Sequence, residues 1–130
     1  MKHCILVVED NQLNRELLCD WLEVEGYEVW SSTDLQTSYD VFAKRIPNAV
    51  LLDINLGAEN GLDLLAWMLQ RPETREIPVI AVTAHALVAE QQRILNAGCR
   101  ACLSKPIDFQ LLGVELKRRL QESKTAPIDS

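Results

Sequence analysis

A chain of 130 residues is one domain, long enough to bury a core without disulfides or structural metal. With 48% hydrophobic and 25% charged residues it has the balance of an ordinary globular protein and excludes general disorder. A net charge of −6 argues against nucleic acid as a partner, and the longest stretch without Asp, Glu, Lys or Arg, Ile77 to Ala89, is shorter than the roughly 20 residues that span a bilayer.

Taken in order, short apolar runs alternate with helical patterns, the βα repeat of an α/β protein whose parallel sheet is covered on both faces. The strands are predicted at His3–Val8, Tyr27–Ser31, Ala49–Asp53, Val79–Thr83 and Ala101–Ser104. Leu13, Leu17, Leu18, Trp21 and Leu22 recur at helical spacing after the first strand, and Gly26 closes that helix. Thr33 with Gln36 reads as a capping box for a second helix, which would turn Leu35, Phe42 and Ile46 to the sheet. The third helix carries Leu62, Leu65 and Leu69. A polar connection bounded by Pro72 and Pro78 follows, then a fourth helix from about Leu87 to Ala97-Gly98. Asp108 is placed to cap a fifth helix with Leu112, Leu116 and Leu120 four residues apart. Five strands and five helices fill residues 1–122, leaving 123–130 as an expected flexible tail.

Four strands end on residues suited to phosphate chemistry: Glu9 and Asp10, Asp53, Thr83, and Lys105. The carboxyl ends of parallel strands open on one crevice, so these residues can meet. Crowded carboxylates repel, and a hard divalent cation such as Mg²⁺ relieves that repulsion through oxygen ligands. Asp53 is then a candidate nucleophile forming an aspartyl-phosphate. Lys105 and Thr83 are placed to pair with the phosphoryl oxygens.

In combination, Glu9-Asp10, Asp53 in LLDINLG, Thr83-Ala84 in VTAHA and Lys105-Pro106 in LSKPI resemble the receiver domain of two-component response regulators, over residues 3 to about 121. The resemblance implies a flavodoxin-like, doubly wound five-stranded sheet of order 2-1-3-4-5 with five helices. It implies phosphorylation on Asp53, Mg²⁺ held by Asp10, Asp53 and the Asn55 backbone carbonyl with Glu9 acting through water, and a cis Lys105-Pro106 peptide. The expected activity is self-catalysed phosphoryl acceptance and loss in a His-Asp phosphorelay, without an external substrate. The donor is a phosphohistidine on a histidine kinase or phosphotransfer protein, docking on Asn11, Asn14, Leu17, Pro106 and Ile107. Signalling follows by contact with a downstream protein or by onward phosphotransfer. The expected setting is a stand-alone cytoplasmic protein, in contact with neither nucleic acid nor membrane.

The chain departs from the family pattern in three places. Cys102 stands where a large aromatic usually completes the switch with Thr83, Gly57 where Pro is common and Asn60 where Asp is common, and Gly57 is expected to loosen the loop over the site. Asn55 and His85, each two residues beyond a site residue, are placed to tune the phosphate lifetime. Output then runs through the surface of His85–Cys99 and Cys102, or the domain chiefly relays phosphate.

Other readings stay open at this level. A flavodoxin-like module binding an anion or nucleotide without covalent chemistry is the main alternative, though no Gly-rich phosphate loop supports it. A phosphohydrolase lacks a second acid for the leaving group. Cys99 and Cys102 have CxxC spacing but no second ligand pair. Leu17 reads equally as core or as partner surface, Trp67 as partner surface or as packing beneath a neighbouring loop, and Lys117-Arg118-Arg119 as a solvated helix end.

Overall fold

The structure is a computed structural model that describes residues 2–85 and 87–122. The five main strands are β1 (Cys4–Val8), β2 (Glu28–Ser32), β3 (Ala49–Asp53), β6 (Val79–Thr83) and β7 (Ala101–Ser104), with a small hairpin, β4 (Asn55–Leu56) and β5 (Glu59–Asn60), between β3 and β6. The main strands form one parallel sheet in the order β2-β1-β3-β6-β7. With the hairpin set aside this is the expected 2-1-3-4-5 order. β1, β3 and β6 are buried at every position, as strands between two helical layers must be.

Side chains alternate across the sheet. Leu6, Val8, Val50, Leu52 and Ala81 face one core, shared with helices α2 (Leu35–Lys44), α3 (Leu62–Leu69) and α4 (Val88–Asn96). Ile5, Val7, Leu51, Ile80 and Leu103 face the other, shared with α1 (Gln12–Val24) and α5 (Phe109–Glu122). Leu112, Leu116 and Leu120 are buried in α5 as predicted, and the Leu111 N–H donates to the Asp108 carboxylate at 3.2 Å. Gly26 and Gly98 follow α1 and α4 at φ +97° and +121°, conformations that favour glycine.

Several local expectations shift. The capping box of α2 is Asp34 with Thr37, not Thr33 with Gln36: Asp34 Oδ1 accepts the Thr37 N–H at 2.8 Å, and the Asp34 N–H reaches Thr37 Oγ1 at 3.2 Å. Asp34 has the extended backbone a cap requires, while Gln36 points along the helix to bond Asp40 at 3.1 Å. Ile46 lies beyond α2 and is exposed. In α3 the core positions are Leu64, Leu65 and Met68, while Leu69 is exposed. Its sequence LDLLAWML is apolar nearly all round, so periodicity alone does not choose the stripe. Leu13 and Leu17 are exposed, leaving Leu18 and Leu22 to anchor α1. Trp67 packs on Tyr39 and Phe42 of α2, with ring centroids 5.0 and 5.5 Å away, rather than beneath a loop. The expected tail, 123–130, lies outside the described residues. None of the described helices is long and apolar enough to cross a membrane.

Candidate functional site

The sheet register brings the site together. Val8 pairs with Leu52, Asp53 with Val82 and Thr83 with Ser104, so Glu9, Asp53, Thr83 and Lys105 emerge along one edge. β1 and β3 are the neighbours between which the winding reverses, the place where such sheets open a crevice. Backbone bonds fix the edge: Glu9 N–H to the Ser32 carbonyl at 3.1 Å, Ile54 N–H to Val82 at 3.0 Å, and Lys105 N–H to Thr83 at 2.9 Å.

Glu9, Asp10 and Asp53 each offer a carboxylate oxygen, all within 4.8 Å of one another. Glu9 and Asp53 are buried, whereas Asp10 is exposed. Lys105 Nζ lies 3.0 Å from Asp53 Oδ2 and 3.2 Å from Glu9 Oε1. Asp53 Oδ1 accepts the Asn55 N–H at 2.9 Å, and Glu9 Oε2 accepts the Asn11 N–H at 3.2 Å. Lys105-Pro106 is cis, as expected.

Charge crowding is visible in the acids. Burial first, then the hydrogen bond and negative charge of Asp53, pull the Glu9 carboxyl up to about 7, against the opposing pull of Asn11 and Lys105. For Lys105, burial works against the charge, but Asp53 and Glu9 outweigh it and raise its pKa. Three hard oxygen donors that repel one another fit a Mg²⁺ ion, which takes carboxylates together with water and phosphate oxygens. Thr83 is fully buried at the end of β6, and its Oγ1 accepts the His85 N–H at 3.1 Å.

Two features were missed in sequence. Arg15 turns back from α1 and donates to the backbone carbonyls of Glu9 at 3.0 Å and Asp10 at 3.4 Å, tying down the acidic loop. A basic residue one helical turn past an N-cap next to paired acids is a usable signal for this. The second is the β4-β5 hairpin. Gly57, at φ +60°, takes the first of two central turn positions with Ala58 as the second, a backbone conformation that favours glycine. Gly followed by one residue between two short runs was the available signal.

The CxxC thiols form no disulfide. Burial chiefly, with help from Cys102, pushes Cys99 up to about 12, and burial raises Cys102 as well, so neither favours the thiolate a metal or redox role needs. The basic end of α5 is occupied within its own helix, Arg119 with Glu115 and Glu122 and Arg118 with Glu115.

A doubly wound sheet carrying an acid triad and a lysine at its carboxyl edge defines a Mg²⁺-dependent phosphoacceptor module. The chain belongs to the response regulator receiver domain family, whose sequence model matches residues 5–124. It is 39% identical over 107 residues to the polar-differentiation response regulator DivK of Brucella anthropi, covering 82% of this chain and 87% of that one. Among solved structures it is similar to the receiver domain of a sensor histidine kinase from Pseudomonas aeruginosa, solved with a magnesium ion in its active-site cleft. That match has a TM-score of 0.84 and 28% identity, over 93% of this chain and 99% of the other. The signal receiver domain of a signal transduction histidine kinase from Syntrophus aciditrophicus matches with a TM-score of 0.85 and 26% identity, over 97% and 96% of the two chains. The protein is therefore a phosphoryl-accepting receiver with a Mg²⁺ site, of a family that histidine kinases phosphorylate, and not an enzyme of the ordinary kind.

Proposed function

We propose that Asp53 is the phosphoryl acceptor, that Asp10, Asp53 and the Asn55 backbone carbonyl ligate Mg²⁺ with Glu9 acting through water, and that Lys105 and Thr83 receive the phosphoryl oxygens. The observation that carries this reading is the meeting of three carboxylates within 4.8 Å with Lys105 Nζ 3.0 Å from Asp53. An Asp53 carboxylate oxygen forms the O–P bond as the P–N bond to the donor imidazole breaks. The electron pair leaves on that nitrogen, which takes up a proton. No base is needed, because the nucleophile is already a carboxylate. Bound Mg²⁺ supplies neutralisation of the charge on the transferring group. Lys105, freed from Asp53 Oδ2 when that oxygen is esterified, keeps its ammonium beside the new phosphoryl group. Thr83 offers its hydroxyl from the neighbouring strand end, and Asn55 and His85 flank the path of a hydrolytic water.

The donor protein is proposed to be a histidine kinase or a histidine phosphotransfer protein seated beside the site. Asn14, Leu17, Leu18, Lys105, Pro106, Ile107 and Phe109 line a cavity of about 430 Å³ there, and Leu17 is half exposed in it, which favours its partner reading over core. Residues 1–122 are proposed to act as the receiver, with 123–130 as an appended tail, in the cytoplasm. With Cys102 only partly buried against the α4 side of the sheet, output is proposed to run through α4 by protein contact, or through onward phosphotransfer.

Incubation with Mg²⁺ and acetyl phosphate, followed by intact-mass measurement, tests the acceptor. One added phosphoryl group on the wild type and none on Asp53→Asn is the expected outcome. Full labelling of Asp53→Asn sinks the assignment, and Mg²⁺-independent anion binding without covalent mass favours the non-covalent module instead.

A further inference from the structure

We propose that Glu59 is a positioning residue for the metal: it straps the β4-β5 hairpin to the first turn of α2 and so presets the Asn55 carbonyl beside Asp10 and Asp53. This rests on the reading of Asn55 as a ligand given above.

The hairpin has only two paired residues per strand, Asn55 with Asn60 and Leu56 with Glu59. Two strands of that length do not hold their shape in water unaided. The base is secured: the Gly61 N–H donates to the Ile54 carbonyl at 2.8 Å, the Leu62 N–H to Asn60 Oδ1 at 2.9 Å, and Leu56 is buried in the core. The tip overhangs the acids, since a Cβ placed on Gly57 would lie 3.6 Å from Asp10 Oδ2.

What restrains the outer strand is a bond across 24 residues of sequence. Glu59 Oε1 accepts the Leu35 N–H at 3.1 Å. Leu35 is the first residue of α2, and its N–H has no partner within the helix. Asp34 already serves the Thr37 N–H, so Glu59 satisfies a different donor, and a carboxylate is favoured there by the helix dipole. Glu59 is adjacent to Asn60, which faces Asn55 across the ladder, so the restraint reaches the ligand through one strand pair. A ligand already in place need not be ordered when the ion binds, and that saving appears as affinity.

The test is calorimetric titration of the full chain with MgCl₂, together with amide exchange over residues 55–60, for wild type, Glu59→Ala, Glu59→Gln and Leu35→Pro. Glu59→Ala is expected to raise the Mg²⁺ Kd about three- to tenfold and to speed exchange in the hairpin, the usual consequence of losing one such bond. Glu59→Gln keeps an acceptor oxygen and should stay near wild type. Leu35→Pro removes the donor at a helix position where proline is tolerated and leaves the carboxylate, so it should reproduce Glu59→Ala. An unchanged Kd in both Glu59→Ala and Leu35→Pro overturns the strap while leaving the metal site standing. An equal loss in Glu59→Gln and Glu59→Ala also overturns it, because the effect is then remote charge. Wild type that binds no Mg²⁺ overturns the metal reading itself, and the strap with it.

Discussion

The helix tied to the hairpin over the acidic site and the helix beyond Thr83 begin in opposite ways. α2 opens on a complete capping box from Asp34 and Thr37 and takes a further bond from Glu59, so its Leu35 and Thr37 donors are matched. α4 opens on Leu87, whose side chain offers no acceptor, with Leu87 and Val88 both exposed and only Ile94 of the helix buried. The backbone of Leu87 has the extended geometry of a cap but lacks its chemistry. Local stability follows matched donors and buried contacts, so the start of α2, tied to the hairpin at the site, is held more firmly than the start of α4, through which output is proposed to run.

The largest effect should come from breaking the firm side at its base. A Cβ on Gly61 would lie 2.3 Å from the Asp53 carbonyl oxygen and 3.0 Å from Ile54 Cα, both backbone atoms that cannot step aside. Gly61→Ala should therefore lower stability by about 2–4 kcal/mol, read from urea unfolding. Unfolding indistinguishable from wild type would show that the backbones at Asp53 and Ile54 are not tightly fixed.

Next is the charge stored at the acids. The Glu9 carboxyl is raised to about 7 by burial and by Asp53, so the folded protein holds this proton more tightly than the unfolded chain does. Its stabilising contribution is complete below the ordinary carboxyl pKa near 4.5 and is lost as pH rises through about 7. In chelator, Glu9→Gln should flatten that fall and gain roughly 1–3 kcal/mol on the wild type between pH 4.5 and 8. Parallel pH profiles would contradict it.

The smallest effect sharpens the other side. Leu87→Ser supplies the missing acceptor at the start of α4 and should stabilise it by about 1 kcal/mol, seen as slower amide exchange confined to that helix. Equal protection before and after the substitution would erase the contrast with α2.

Much of this was legible because burial on both faces leaves a plain mark: CILVV, AVLL and VIAV read as strands without alternation, and the polar residue after or ending each run is one the register brings to the carboxyl edge of the sheet. Shorter-range choices were less legible. Thr33-Gln36 and Asp34-Thr37 both resemble capping patterns one residue apart, and only backbone geometry selects between them. Leu17 and Leu69 keep helical spacing yet face outward, because spacing gives a stripe but not its rotation about a helix apolar on several sides. Glu59 could not be read at all, since its partner is a backbone N–H 24 residues away, and a backbone donor leaves no trace in side-chain identity.

The three tryptophans are divided between the faces of the sheet. Trp21 lies against Phe109 at 5.2 Å, in the notch left where Gly113 has no side chain, beside the cavity at Lys105. Trp30 and Trp67 lie on the opposite face, each 4.3 Å beneath an arginine guanidinium, Arg45 and Arg71. The molecule thus carries an indole reporter on each face: Trp21 looks onto the face where a phosphodonor would sit, and Trp30 and Trp67, each under a guanidinium, look onto the other, so Trp→Phe variants let emission from the two sides be read separately without attaching a dye.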